Sequence, residues 1–154
     1  MWDRSVGRGR DVGVGRTTRG PAVPMNAALE GKTYPPISFT VGEDHVRRFA
    51  AAVGDDGSFV PPTFVTAPEI ESGLARVVAD KELGLDFARV LHGEQEYEWM
   101  RPVAVGETLD VRTTIESIRS KGALEFLTLR TEMRDADGAT AVVGRSSLIV
   151  RGAT

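Results

Sequence analysis

The chain has 154 residues, the length of a single domain, and contains no cysteine, which excludes disulfide frameworks, zinc–thiolate sites and a cysteine nucleophile. Its longest uninterrupted apolar run, residues 49–53, is far shorter than the ~20 residues that a membrane span needs. Because no secretory signal pattern follows the N-terminus either, we expect a cytoplasmic protein that binds no membrane.

Charge is distributed unevenly along the chain, whose net value is −3. Residues 1–24 contain five arginines against two aspartates, a net +3, so the remaining 130 residues carry −6. An acidic body argues against nucleic acid as the main partner. The first stretch also holds five of the 17 glycines and few large apolar side chains. We therefore predict a disordered basic leader over 1–24, either flexible or a mis-assigned start with Met25 as the true one, and a single domain over 25–154.

The first half of this domain shows one strand and two helices. Apolar residues alternate over 37–41, which predicts a strand, and then recur at helical spacing over 43–53 before Gly54. Residues 55–64 have the composition of a loop. Helical spacing returns over 67–82, where Thr66 and Glu69 fit the pattern of a capping box.

From Val90 onward the apolar period changes from 3.6 to 2, which predicts four antiparallel strands joined by short turns. The final strand, 139–151, is apolar or small on both faces, so we expect it to be buried on both sides. The element order predicts an α+β fold in which the 67–82 helix packs against a curled antiparallel sheet. One helix cannot cover such a sheet, so we also expect an oligomer.

The strand that begins at Val90 carries several chemically notable residues. Period 2 places His92 on one face with the three glutamates at positions 94, 96 and 98, and Tyr97 with Trp99 on the other. Four potential ligands on one face suggest a metal site. Residues two positions apart on a strand are so widely spaced, however, that neighbouring side chains can converge only in part. We predict no metal site, and instead either a charged solvent face or pairing with Arg112 and Arg130 on adjacent strands.

Four segments together resemble the N-terminal-type half of MaoC-like dehydratases, the FAS1-like half that lacks the catalytic residues. They are Phe-Ala-Ala-Ala-Val-Gly-Asp-Asp at 49–56, Pro-Pro-Thr-Phe at 61–64, Leu-His-Gly-Glu-Gln-Glu-Tyr-Glu-Trp-Met-Arg-Pro at 91–102, and Val-Gly-Glu-Thr-Leu at 105–109. The resemblance covers about residues 30–151. The chain is similar in this respect to the separate dehydratase subunits of actinobacterial mycolic-acid synthesis.

This resemblance implies a hot-dog fold, a sheet wrapped around the central 67–82 helix, working as a double hot-dog dimer without a cofactor. The family's best-known members are (R)-specific enoyl-thioester hydratases and (3R)-hydroxyacyl-thioester dehydratases, which act on acyl chains carried by coenzyme A or acyl carrier protein. It further implies that this chain shapes the acyl-chain channel. The other member of the pair, in a homodimer or a heterodimer, would be a hot-dog chain that bears the catalytic Asp and His.

Compared with the family's catalytic motif Gly-Asp-x-Asn-Pro-x-His, this sequence matches only at Gly54 and Asp55. Val60 stands at the position of the histidine and cannot take a proton, so the dyad is incomplete. The remaining catalytic candidates are Asp55, with a turn-forming aspartate as the alternative, and His92, with a structural histidine as the alternative. The stiff segment before the central helix supplies the substrate-binding candidates, which are Phe59, Pro61, Pro62, Thr63 and Phe64.

Two other functions remain open on the same fold. A thioesterase needs a carboxylate near the central helix, for which Glu69 or Glu71 could serve. A non-catalytic protein would bind acyl thioesters without turnover. The fold cannot choose among the three functions, because function depends on the site.

Overall fold

A computed structural model describes residues 23–151 of the chain. Apart from Val23 and Pro24, the predicted leader lies outside these residues, so it stays a prediction. The chain forms a first strand, a short helix, a central helix and four long strands, in this order: β1 (Ile37–Thr40), α1 (Glu43–Val53), α2 (66–79), β2 (Val90–Trp99), β3 (Thr108–Lys121), β4 (Leu124–Arg134) and β5 (Thr140–Arg151). None of the helices in this part of the chain is long and apolar enough to cross a membrane.

The five strands form one antiparallel sheet in the order β1-β3-β4-β5-β2. Alternate residues of β3 and β4 are buried, and α2 packs over this inner face of the sheet. The core has two parts, one around Phe64, Leu109 and Met133 and one around Val77, Ile115 and Leu127. The α+β prediction of a curled antiparallel sheet with a central helix is therefore confirmed.

The central helix is shifted toward the N-terminus relative to the prediction of 67–82. A short 3₁₀ turn, Pro62–Val65, leads directly into it, so the backbone of Thr66 is already helical and cannot form the predicted capping box with Glu69. The helix ends before Asp80, whose backbone is extended. The Asp80 carboxylate accepts hydrogen bonds from Lys32 and from the Tyr34 hydroxyl, both at 2.7 Å, and so fixes the N-terminal segment against the helix end.

The middle of α2 is a π-helical turn, Glu69–Leu74, at the point where the helix lies closest to the sheet. A Cβ atom on Gly73 would stand 2.4 Å from the Thr113 hydroxyl, which is itself hydrogen-bonded to Thr131 at 3.0 Å. Glycine at this position therefore sets the distance between helix and sheet. The π turn also carries Glu69 on its buried side, with 5% of its surface exposed.

The prediction that the final strand is buried on both faces is wrong within a single chain. Its inner residues, such as Val142 and Leu148, are buried under α2. On the outer face Val143 is also buried, but Arg145, Ser147 and Ile149 are only half-buried, because no helix of residues 23–151 covers that part of the sheet. Small and apolar residues on this face misled the prediction.

We expect Gly73→Ala to lower the free energy of unfolding by about 1–3 kcal/mol, because the added methyl group overpacks the helix–sheet contact. Gly42→Ala is the matched control, since a Cβ at Gly42 has no atom within 4 Å and the backbone φ is −76°. Because Gly42 is the N-cap residue of α1, where alanine is less favourable than glycine, we expect the control to lower stability by a smaller amount, about 0.5–1 kcal/mol at most. Denaturant unfolding measures both, and equal effects of the two substitutions would contradict this account.

Candidate active site

A β-bulge in the edge strand β2 determines which side chains face the central helix. His92 lies opposite Leu148 on β5, whereas Glu94 lies opposite Ser147, so Gly93 is an extra residue in the ladder. The bulge reverses the alternation and places His92 on the same face as Gln95 and Tyr97, toward α2. The prediction that His92 shares a face with the glutamates is therefore wrong.

Glu69 is the centre of a hydrogen-bond network that joins α2 to β2 and β5. Its Oε2 atom accepts from the Tyr97 hydroxyl in a short hydrogen bond and from the Gln95 amide at 3.0 Å. Its Oε1 atom accepts from the Ser146 hydroxyl at 3.3 Å. The Tyr97 hydroxyl also lies 3.1 Å from Thr66 Oγ1. A carboxylate with these partners can be buried without an unsatisfied oxygen.

The same network orients the imidazole of His92. Since the amide nitrogen of Gln95 donates to Glu69, the amide oxygen accepts from His92, whose Nε2 atom lies 3.1 Å away. The proton of the neutral ring is thereby held on Nε2, and Nδ1 is left as an acceptor. The side chain of His92 itself is exposed. The Glu69 carboxylate thus fixes the orientation of the Gln95 amide, and the amide in turn holds His92 in one tautomer.

These residues line one side of a cavity of about 270 Å³ between α2 and the sheet, here called the Glu69 cavity. Its polar wall is formed by Thr66, Glu69, His92, Gln95 and Ser146. Its apolar wall is formed by Ile70, Leu74, Phe87, Val90 and Leu148. A ligand with an apolar segment and a hydrogen-bonding group fits such a mixed surface.

Sequence reasoning missed Gln95 and Tyr97 as parts of this site. A strict period of 2 assigns them to the face opposite His92, and only the bulge brings the three together. The glycine inside the strand pattern was the available signal, because isolated strand glycines often mark bulges. A Cβ on Gly93 would lie 3.1 Å from the Ser147 carbonyl oxygen.

A second cavity of about 410 Å³, here called the N-terminal cavity, lies at the start of the central helix. One side of its lining is formed by the loop and 3₁₀ turn before the central helix, with Val60, Pro61, Pro62 and Val65. The other side is formed by the end of β2 and the residues that follow it, which are Trp99, Met100, Arg101, Pro102 and Val103. Apart from Arg101 these side chains are apolar. Arg101 is itself held by Glu107 and, at 2.9 Å, by Asp135, so its charge is neutralised at the rim. The surface suits an alkyl chain.

The predicted catalytic residues do not come together. Asp55 is exposed, lines neither cavity, and accepts the Gly57 amide at 2.8 Å within its own turn. The neighbouring Asp56 does the same with Ser58 at 2.8 Å, and these hydrogen bonds lower the pKa of Asp56. His92 lies instead in the Glu69 cavity. The geometry of Asp55 is thus that of the turn-forming alternative.

The predicted substrate-binding residues divide into three groups. Pro61 and Pro62 line the N-terminal cavity. Phe59 is 75% exposed and Thr63 is also exposed, and neither lines the N-terminal cavity or the Glu69 cavity. Phe64 is completely buried in the core, where its ring packs edge-on against His45 and Phe49. Of the five predicted residues, the two prolines are therefore the ones in position to contact a ligand in these two cavities.

Each of the two tyrosines of the chain belongs to a buried cluster around a carboxylate, Tyr97 to the cluster of Glu69 and Tyr34 to the cluster of Asp80. Burial raises the pKa of Tyr97, and its hydrogen bond to Glu69 raises it further. Burial and the hydrogen bond to Asp80 raise the pKa of Tyr34 in the same way. A folded-state pKa above the ordinary value of about 10 stabilises the protein below that pH, and the stabilisation is lost as the pH rises beyond it.

We expect no phenolate absorbance from the folded protein on titration through about pH 10, where free tyrosine ionises. Absorbance should appear only together with alkaline unfolding, and Tyr97→Phe should halve its amplitude. The same titration in denaturant is the control and should show both tyrosines at the ordinary pKa. Ionisation of one tyrosine near pH 10 in the folded protein would contradict the burial of that cluster.

Comparison with solved structures identifies the architecture. The chain superposes on one chain of the C-terminally truncated HadBC complex, a 3R-hydroxyacyl-ACP dehydratase of Mycobacterium tuberculosis, with a TM-score of 0.68 and 22% identity, covering 79% of this chain and 96% of that chain. A MaoC-like dehydratase gives a TM-score of 0.69 at 21% identity, covering 81% of this chain and 43% of the longer one. At such identities the match shows the fold alone, and this fold is the predicted hot dog.

Sequence comparison shows the family. The family model for the FAS1-like dehydratase domain region matches residues 56–143, more than half of the chain. A UPF0336 protein of Streptomyces coelicolor is 34% identical over 146 residues, covering 84% of this chain and 97% of that one. A UPF0336 protein of Leifsonia xyli is 35% identical, with 84% and 98% covered. The chain therefore belongs to the UPF0336 proteins and carries the FAS1-like dehydratase domain region of the hot-dog dehydratases.

Proposed function

We propose that this chain is the channel-forming subunit of a (3R)-hydroxyacyl-thioester dehydratase. In the reverse direction of the reaction, the same enzyme is an (R)-specific enoyl-thioester hydratase. A second hot-dog chain supplies the catalytic Asp and His. The substrate is an acyl chain on coenzyme A or acyl carrier protein. The HadBC complex, a dehydratase made of two hot-dog chains, supports this arrangement.

The observation that carries the proposal is the state of the dyad positions. Val60, at the place of the family's histidine, packs against the core and forms part of the wall of the N-terminal cavity. Asp55 uses its carboxylate to close a local turn, outside both cavities. Elimination of water needs a base for the C2 proton and a proton donor for the leaving hydroxyl, and these two positions supply neither.

The exposed edge of the sheet supports pairing with a second chain. Among the described residues, 23–151, the only strand that pairs with β2 is β5, and none of the ten residues of β2 is buried, with Leu91–Glu96 all exposed. Both cavities are lined partly by β2 and the residues just after it, so a chain added at this edge would cover them. A long unpaired edge strand is normally covered in a native assembly.

The two cavities differ in what they would hold. The N-terminal cavity, with Pro61, Pro62 and Trp99, fits the alkyl part of the acyl chain. The Glu69 cavity offers a carboxylate, an amide and an imidazole beside apolar residues, which fits a segment with a hydroxyl or amide group. In this proposal Glu69, Gln95 and His92 bind and orient substrate, whereas the partner's dyad moves the protons.

The test is hydration of trans-2-enoyl-CoA, followed as loss of the enoyl-thioester absorbance. We expect no turnover with the purified chain alone, and turnover on adding a hot-dog chain that carries Gly-Asp-x-Asn-Pro-x-His. In that pair Val60→Phe should lower kcat/KM about tenfold or more for a long-chain substrate, a loss of about 1.4 kcal/mol of binding, and have little effect on crotonyl-CoA.

Val105→Phe is the control for the same change of side chain outside the cavities, because Val105 is 49% exposed and lines neither cavity. It should leave kcat/KM unchanged for both substrates. Robust hydration by the chain alone, abolished by Asp55→Ala or His92→Ala, would contradict the proposal. An equal loss for long and short substrates in Val60→Phe would contradict the role of the N-terminal cavity.

One observation favours a second candidate, an acyl-CoA thioesterase that uses Glu69. This carboxylate is buried at a cavity wall, whereas Glu71, two residues further along the helix, is exposed and lies 3.6 Å from His45. Thioester cleavage is measured as thiol release without any partner chain. Cleavage that is lost in Glu69→Gln and kept in Glu71→Gln would select this candidate, and no thiol release would eliminate it.

A further inference from the structure

The outer face of the edge strand β2 carries a row of three exposed carboxylates, Glu94, Glu96 and Glu98, here called the glutamate row. None of them takes part in an ion pair with another residue of the described chain, 23–151. Of the two predicted alternatives the structure has the charged solvent face, and the pairing with Arg112 and Arg130 is wrong, because within residues 23–151 the only strand beside β2 is β5. Arg130 instead pairs with Glu132.

One basic residue lies beside the row. Arg145 stands opposite Glu96 on β5, and its Nε atom is hydrogen-bonded to Glu116 at 3.1 Å. The glutamates at 96 and 98 and the bound Glu116 all raise the pKa of Arg145, Glu116 most strongly. One guanidinium shared among several carboxylates leaves the row with a net negative charge along the open edge.

The negative charge of the glutamate row limits which second chain can pair with the edge strand β2. Two copies of β2 can pair antiparallel about a two-fold axis. Each residue of one copy then lies opposite a residue of the other copy, and the two residue numbers always add up to the same total. This total is even, because directly opposed side chains point to the same face of the sheet. With the axis at any residue from Glu94 to Glu98, at least one glutamate therefore meets a glutamate of the second copy. Opposed Cβ atoms in such pairs lie about 4.5–5.5 Å apart, and like charges there are destabilising.

We infer that β2 is a charge-selective docking edge, whose partner is a different chain presenting lysine or arginine along the outer face of its own edge strand. A second copy of this chain is the disfavoured occupant. The inference rests on the proposed pairing function and adds the chemistry of the partner. It also explains why a subunit without a dyad would avoid the unproductive pair with itself: the same carboxylates that repel a copy attract a basic strand.

The experiment measures association by sedimentation, using the full chain and a triple variant, Glu94→Lys, Glu96→Lys and Glu98→Lys. Each protein alone should remain monomeric at micromolar concentration and low salt. An equimolar mixture of the two should form a one-to-one dimer, with a dissociation constant at least about tenfold lower than that of either self-association. The gain should shrink as salt screens the charges.

The matched control reverses three exposed acidic residues outside the sheet, Glu43, Asp44 and Glu82, to lysine. This variant has the same net charge as the first, so a long-range attraction between oppositely charged proteins would act on both mixtures equally. We expect no one-to-one dimer with the control.

Two results would overturn the inference. One is a tight homodimer of the unmodified chain that neither salt nor the triple substitution alters. The other is a mixture with the triple variant that associates no better than the control mixture. Because the readout is association and not turnover, this inference and the proposed dehydratase function can fail separately.

Discussion

A single buried carboxylate joins the central helix to the edge of the sheet. Glu69 lies in a π-helical turn and receives hydrogen bonds from Tyr97 and Gln95 on β2 and from Ser146 on β5. Leaving a buried carboxylate without these donors would cost at least about 1–3 kcal/mol, so the helix, the bulged strand and the last strand are fixed together. Gly144 is part of the same constraint, since a Cβ there would lie 3.1 Å from the Glu69 oxygen.

The same arrangement gives the chain its chemical character. Holding β2 against α2 at Glu69 leaves one cavity on either side of Tyr97, one largely apolar and one with a polar wall. The residues that would make the family's dyad are a wall residue, Val60, and a turn residue, Asp55. In the proposed function this chain is therefore the binding half, and the partner supplies the chemistry of dehydration.

Much of the fold was predictable because apolar periodicity is a direct consequence of burial. Helix α1 was predicted with its exact bounds, and the long strands to within a few residues at each end. The site was harder to predict, because one inserted residue at Gly93 reverses the facing of every later side chain in the strand. The cap at Thr66 failed for a related reason, since a 3₁₀ turn over the prolines extends the helix backward. Both errors arise where local geometry departs from a regular repeat, and both lie at the candidate site.

The measurement that tests the central claim most directly is the crystal structure of this chain paired with a catalytically inactive hot-dog partner and a bound long-chain enoyl thioester. The account predicts that the alkyl chain lies against Pro61, Pro62 and Trp99 of this chain, with the thioester carbonyl at the partner's dyad. An acyl chain held entirely within the partner, with both cavities of this chain empty, would contradict it.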